Sequence, residues 1–279
     1  MQDYLLYNGS FYKSDQPLVT ADNRGLRYGD GLFETIKVKD KKIYFSDWHC
    51  ERLFHGMQLL GFEPPAYFTP AYLLSQVNEL CKKNGHINAR VRVNIVRGNG
   101  GLYDPENHFP NCIIQSWPLP ESQYQLNEAG WVTGVYQEAK KSIDSFSNLK
   151  SNNYLPYLMA AQYAKKQQWN DALLLNSEGN ICDASIANIF IVRNGLVLTP
   201  PLTDGCIAGI MRRYLAENMV LQGFEFREKT ISVEDLLTAE EVFLTNTIRG
   251  IRWVQGCKNA TYVSKLSTAI YTRLLKNMG

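Results

Sequence analysis

A chain of 279 residues with 45% hydrophobic and 20% charged residues has the composition of a globular protein able to bury one large core or two moderate ones. Its net charge of +2 gives no electrostatic reason to expect nucleic acid or an anionic membrane surface as partner, and no apolar run approaches the roughly 20 residues of a membrane span. The six cysteines form no Cys-x-x-Cys pair and no histidine-spaced ligand set, which predicts reduced thiols and no metal site; a start of MQDYLLYNGS, neither basic nor apolar-cored, predicts a cytoplasmic protein.

Asn8-Gly9 between two short apolar-alternating runs predicts an opening hairpin. Gly29-Asp30-Gly31 then precedes a strand carrying Leu32, Phe33, Ile36 and Val38, and the two glycines suit either a tight turn or a close backbone approach. Ser46 or Asp47 caps a helix whose apolar face is Trp48, Leu53, Met57 and Leu60, with Arg52 in its middle and Gly61 at its end. A second amphipathic helix is predicted over 69–83. Val91, Val93 and Ile95 alternate with Arg90, Arg92 and Asn94, the pattern of a strand with one polar face. A glycine-rich loop covers 97–103, a strand 112–116, and two prolines within 117–122 mark an interdomain linker between a smaller domain, 1–116, and a larger one, 123–279.

The second half mixes both element types, which indicates an α+β (mixed α/β) architecture. Strands are predicted over 131–136, 172–175, 189–192, 196–199 and 241–244, and helices over 154–168, 207–221, 235–239 and 263–275. Lys150 lies in a polar turn just ahead of the 154–168 helix, where the positive end of the helix dipole would favour a neutral amine; Asp183 follows the strand 172–175 and a polar turn. A lysine and a carboxylate so placed would suit the two ends of a pyridoxal phosphate ring, although a lysine ahead of a helix is commonly only a solvated charge. The start of the 207–221 helix, with Gly209, Ile210 and Met211, offers unpaired amides to an anion, and Thr245, Asn246 and Thr247 form a strand exit with two hydroxyls.

Four separated segments together resemble the class IV aminotransferase superfamily, the fold type IV pyridoxal-phosphate enzymes: residues 24–35 (RGLRYGDGLFET), 49–53 (HCERL), 183–190 (DASIANIF) and 209–212 (GIMR). The resemblance spans nearly the whole chain and implies a two-domain fold with pyridoxal 5'-phosphate as cofactor and a small amino compound as substrate. It further implies that Lys150 forms the Schiff base and shuttles the α-proton. Arg52, from the His-x-x-Arg-Leu pattern, would bind the cofactor phosphate, together with Gly209, Ile210, Met211, Thr245, Asn246 and Thr247. Asp183 would face the ring nitrogen where the family commonly has glutamate, with Glu178 as a possible substitute. Tyr154 has two readings, contact with the cofactor's phenolic oxygen or simple packing, and His49 is expected to pack or cap. The resemblance also implies a homodimer.

Within that superfamily, residues 97–103 lack the Arg-x-His pair of D-amino-acid aminotransferases. Arg97-Gly98-Asn99-Gly100-Gly101, Gly209-Ile210-Met211-Arg212 and Asn246 look more like 4-amino-4-deoxychorismate lyases, which form p-aminobenzoate and pyruvate for folate synthesis. Lys150-Ser151-Asn152-Asn153-Tyr154 looks closer to amino-acid aminotransferases of the branched-chain or D-amino-acid type. Arg27, Phe33, Arg97 and Tyr103 are the expected substrate-pocket residues, Arg97 or Arg27 supplying a cation. A cofactor-free binding protein on the same fold is the remaining alternative.

Overall fold

A computed structural model describes residues 3–278. They divide into two compact units, the first of Met1–Pro120 with Leu149–Asn153 and the second of Glu121–Asn148 with Tyr154–Gly279. The first division falls between Pro120 and Glu121. The return of residues 149–153 to the first unit has no counterpart in a single sequence boundary, because it depends on backbone pairing between residues more than a hundred positions apart.

The first unit opens with β1 (Tyr4–Tyr7) and β2 (Ser10–Lys13), joined by Asn8 and Gly9 at φ 48° and 81°. Positive φ at both turn positions matches the right-handed twist of the strands and favours this dipeptide. The helix α1 (Arg24–Tyr28), which periodicity did not reveal, is one turn capped by Asn23 and closed by Gly29. It leads into β3 (Gly31–Lys39) and β4 (Lys42–Ile43). Phe45, in left-handed conformation, and not Ser46 or Asp47, precedes α2 (Ser46–Leu59); the Ser46 hydroxyl turns to Asp47 instead. Thr69 caps α3 (Pro70–Asn84), with Pro70 at the first turn and Gly85 in αL at the exit. Two long strands, β5 (Ala89–Arg97) and β6 (Pro110–Pro118), complete a six-stranded antiparallel sheet ordered β2-β1-β6-β5-β3-β4. One face buries Ile36, Val91, Val93, Ile95 and Ile114 against Leu53 and Met57 of α2 and Leu73, Val77 and Leu80 of α3. The period-2 alternation puts Phe33, Asn94 and Arg92 on the opposite face.

In the second unit β7 (Trp131–Lys141) runs five residues beyond the expected strand, and α4 (Leu155–Lys166) starts at the residue before Pro156. Then come β8 (Asp171–Asn176), β9 (Ile181–Ala184), β10 (Asn188–Arg193) and β11 (Leu196–Thr199), the last two joined by Asn194-Gly195. The helix α5 (Ile210–Met219) is shorter than the expected 207–221, since the amides of Ile207 and Ala208 are drawn to Asp183 and Asn148. After β12 (Phe226–Glu228), α6 (Val233–Leu237), β13 (Glu241–Asn246), β14 (Gly250–Cys257) and β15 (Ala260–Thr261) comes α7 (Lys265–Ile270). The apolar run that predicted one helix over 263–275 continues instead as a π turn over Tyr271–Leu275. These strands form a nine-stranded mixed sheet, ordered β12-β11-β10-β13-β14-β7-β8-β9 with β15 beside β14. Pairing is parallel at β11/β12, β14/β7 and β7/β8. Strands β8 and β10 are buried almost throughout, the continuous apolar pattern of a sheet covered on both sides.

Candidate active site

The candidate residues fall into two groups, one in each unit. In the first unit, Lys150 does not stand at a helix entrance. The peptide from 150 to 152 lies alongside the start of β3: Phe33 N donates to Lys150 O at 2.9 Å, Asn152 N donates to Gly31 O at 2.9 Å, and Ser151 bridges Leu32. β4 pairs only with Val38 and Lys39, so this edge of β3 is open to the incoming segment. A Cβ on residue 31 would fall 2.6 Å from Asn152 Nδ2 and 2.2 Å from Ile95 O, so glycine is required for the approach. The Lys150 ammonium consequently sits 4.3 Å from the Phe33 ring centroid, and the Arg92 guanidinium carbon lies 4.1 Å from the same ring. Phe33 thus carries two cations, one from either side of the sequence; Arg92 was legible only as a member of a strand's polar face.

One residue along β3, Glu34 points the opposite way into the helix layer and is 1% exposed. Arg52 grips it with both arms of its fork, Nε to Oε1 at 2.7 Å and Nη2 to Oε2 at 2.6 Å. His49 Nδ1 is 2.7 Å from Oε2 and donates to it. Burial alone would push this carboxyl up, but the charges of Arg52 and His49 outweigh it and hold Glu34 down at about 2. His49 is therefore a partner of the phosphate-binding candidate's own anchor, a role for which local sequence gave no signal.

The remaining first-unit candidates separate. Arg97 is 5% exposed and committed to Asp30, to the carbonyls of Leu60 and Gly61 and to His108, with its guanidinium 4.2 Å from the Phe62 ring centroid. Asp30 also accepts from Arg24, whose other arm gathers the carbonyls of Gly100, Gly101 and Leu102. The glycine-rich loop is held by these two arginines, and Arg97 serves the scaffold. Arg27 lies over the Tyr28 ring, and Tyr103, 90% exposed, meets the same ring at 5.7 Å.

In the second unit Asp183 lies within β9, opposite Leu174, and not in a turn. It is 1% exposed and accepts from Lys141 Nζ at 3.1 Å, Tyr157 Oη at 2.7 Å, Asn188 Nδ2 at 2.9 Å and Ile207 N at 3.0 Å. Lys141, Tyr157 and Asn188 are additions to the sequence-derived set, invisible there because they come from β7, α4 and β10. Gly209 precedes α5 and contributes no side chain at the cap, with Ile210 and Met211 forming the first turn. At the end of β13 the Thr245 hydroxyl is buried and has no hydrogen-bond partner among the described residues. Asn246 is used internally, donating to Ile186 O and accepting from the amides of Ile248 and Arg249, while Thr247 is half-buried in the turn that follows. Glu178 sits in the β8–β9 turn, its amide donating to Asn176. Tyr154 is half-buried at the residue before α4 and makes no side-chain capping bond.

The family model "Amino-transferase class IV" matches residues 31–257. The chain belongs to that family. It is 28% identical over 286 residues to the aminodeoxychorismate lyase of Bacillus subtilis, covering 97% of this chain and 94% of that protein. It is also 26% identical over 267 residues to the branched-chain-amino-acid aminotransferase of Escherichia coli, with 91% and 85% covered, and 25% identical over 251 residues to the D-alanine aminotransferase of Bacillus licheniformis, with 87% and 84% covered. Among solved structures, the branched-chain aminotransferase of Thermoproteus uzoniensis superposes with a TM-score of 0.88 at 24% identity over 98% of this chain and 94% of that one. That structure shares the mixed α+β fold described above. Relatives with lyase and aminotransferase names stand at comparable identity, so the family is fixed by similarity and the reaction is not.

Proposed function

We propose that this protein is a pyridoxal-phosphate enzyme that converts aminodeoxychorismate to p-aminobenzoate and pyruvate. The donor set fits the cofactor. In the second unit Thr245 presents a buried hydroxyl with no partner among the described residues and the α5 N-terminus offers amides; in the first, Arg52 brings a fixed guanidinium; each is a donor type that suits a phosphate. Asp183 is the buried acceptor for a ring nitrogen and Lys150 the amine for the aldehyde carbon. When bound, pyridoxal phosphate supplies an electron-accepting ring conjugated to the substrate's α-carbon. Lys150 then takes the proton from that carbon and can return one; the role assigned to Asp183 is to accept from the ring nitrogen and that of Arg52 is to bind the phosphate. In the first unit Arg27 and Tyr103 are assigned to the substrate, and in the second Thr247, Asn246, Ile210, Met211 and Tyr154 to the cofactor.

The observation that carries the choice of reaction is Arg92 beside Phe33 and Lys150. Arg92 Nε donates to Asn94 Oδ1 at 3.0 Å; a substrate with an aromatic-sized ring and a second carboxylate has a use for a flat apolar surface with this guanidinium on it, whereas with a branched aliphatic side chain the cation would serve the α-carboxylate alone. This moves the substrate cation from Arg97 to Arg92. The aminotransferase reading keeps the support of residues 150–154 and of the Escherichia coli relative. Incubation with aminodeoxychorismate and no added 2-oxo acid should yield p-aminobenzoate and pyruvate in equal amounts. Turnover that demands both an amino acid and a 2-oxo acid would overturn the lyase reading in favour of transamination.

We further infer a homodimer. Leu155, Leu158 and Met159, exposed by 63%, 46% and 39%, form one stripe at i, i+3, i+4 on α4, the spacing of a helix face made to be covered. Sedimentation at micromolar protein should give twice the chain mass of 31.8 kDa, and Leu158→Glu should shift it toward the monomer.

A further inference from the structure

The four donors to Asp183 are unevenly divided. Among the described residues, Oδ2 takes Lys141 Nζ, Tyr157 Oη and the Ile207 amide, whereas Oδ1 takes only Asn188 Nδ2. A carboxylate offers about four lone-pair positions, so Oδ2 is saturated and Oδ1 keeps room for one more donor. The Lys141 side chain is 8% exposed and its ammonium lies 5.3 Å from the Tyr157 ring centroid, which closes the cation in on a second side. The other titratable groups nearby are thiols. Cys182 and Cys206 are pushed up by burial and by the Asp183 charge, and both stay neutral at physiological pH. Tyr157 is likewise raised by burial and by Asp183, so it donates and does not ionise. Asp183 and Lys141 therefore form an enclosed pair whose charges already cancel.

Resting on the pyridoxal-phosphate reading, we propose that Lys141 and Tyr157 are positioning residues that restrain Asp183, so that it accepts a hydrogen bond from the ring nitrogen through Oδ1 while holding that nitrogen's proton only loosely. A lone buried carboxylate beside a pyridinium makes a neutral pair, which strongly favours the protonated nitrogen. With Lys141 in place, adding the pyridinium leaves one uncompensated positive charge in a buried setting, which disfavours it. The hydrogen bond from Tyr157 further stabilises the carboxylate and weakens its pull in the same direction. A weakly held ring proton makes a shallower electron sink. That suits an elimination, where the pair released at the α-carbon becomes the new α–β double bond while the C–O bonding pair leaves with the β-oxygen, better than a transamination, where the pair has to be held until a proton arrives elsewhere.

The test loads the full chain with ¹⁵N-ring-labelled pyridoxal phosphate and follows the ring-nitrogen resonance against pH in wild type, Lys141→Met, Lys141→Arg and Tyr157→Phe, with circular dichroism to confirm folding. The midpoint should rise by about one pH unit or more in Lys141→Met, rise by less in Tyr157→Phe, and return to the wild-type value in Lys141→Arg. A loaded, folded Lys141→Met protein with the wild-type midpoint overturns the proposal and leaves the cofactor reading intact. Should Lys141→Met not fold, an unchanged midpoint in Tyr157→Phe overturns it equally. A wild-type chain that takes up no cofactor overturns the cofactor reading and this proposal with it.

Discussion

Two buried carboxylates, Glu34 in the first unit and Asp183 in the second, are both 1% exposed, and each is paired with one cation and one ring-bearing side chain. Their logic runs in opposite directions. At Glu34 both oxygens are taken by the Arg52 fork, so the carboxylate exists to aim the guanidinium. At Asp183 three donors crowd one oxygen and leave capacity on the other, so the cation, the phenol and the amide exist to aim the carboxylate. The same ingredients make an anchored donor in one place and an anchored acceptor in the other, and the difference lies in how many donors reach each oxygen.

Both clusters matter to catalysis only if Lys150 does the chemistry, and that gives the largest expected effect. Lys150→Ala should lower turnover by about 10⁴-fold, the upper range for loss of an acid–base group, and abolish the absorbance near 400 nm of bound cofactor, while far-ultraviolet circular dichroism stays as in wild type. Borohydride trapping followed by peptide mapping should place the label on Lys150; a label on Lys141 would reverse the roles given to the two lysines.

Glu34→Gln breaks the anchored donor. It leaves a half-buried guanidinium facing a neutral amide, at a cost of up to about 3 kcal/mol, the lower end for an interrupted buried pair, measurable by urea unfolding at pH 7. The pH dependence has a definite sign. Glu34 is held at about 2, below its ordinary value of 4.5, so its contribution is present above pH 4.5 and is lost as the pH falls towards 2. The variant should lack this acid limb, and an identical limb in both proteins would show that Glu34 is not the depressed group. Arg52→Ala should weaken cofactor binding by about tenfold to hundredfold, and excess cofactor should restore turnover if Arg52 serves binding alone.

Much of this arrangement could be read from the sequence, and the exceptions share one cause. Hairpins at Asn8-Gly9 and Asn194-Gly195, the amphipathic helix expected over 69–83 and the alternation through Val91, Val93 and Ile95 are local signals, and the structure contains each of them, with Thr69 as the cap of that helix and not its first residue. Lys150 and Asp183 could be singled out because their motifs are contiguous. Lys141, Tyr157 and Arg92 could not, since each acts through a neighbour dozens of positions away that only sheet pairing or helix packing brings close. Lys150 shows the limit most clearly: a polar turn followed by a helical pattern indicated a helix entrance, but pairing of residues 150–152 with β3 decided its position. Arg97 fails for the converse reason, because a loop arginine looks available until Asp30, Leu60 and Gly61 are seen to hold it.

The smallest expected effect is the sharpest test of the comparison, because it concerns a buried polar group with neither arrangement around it. Thr245 is 1% exposed and its hydroxyl has no partner among the described residues, whereas every oxygen of Glu34 and Asp183 has at least one. An unmet buried hydroxyl costs about 1–3 kcal/mol relative to a satisfied one, so folding gains nothing from it. Thr245→Val keeps the shape and removes the polar atom, and the apoprotein should be as stable as wild type or more stable by up to about 1 kcal/mol. If the hydroxyl is there for a phosphate, the same substitution should weaken cofactor binding by about fivefold to tenfold, one neutral hydrogen bond's worth. Equilibrium dialysis against pyridoxal phosphate and urea unfolding of the apoprotein then move in opposite directions. Loss of apoprotein stability together with unchanged affinity would show that Thr245 finds a partner inside the fold and has no part in holding the phosphate.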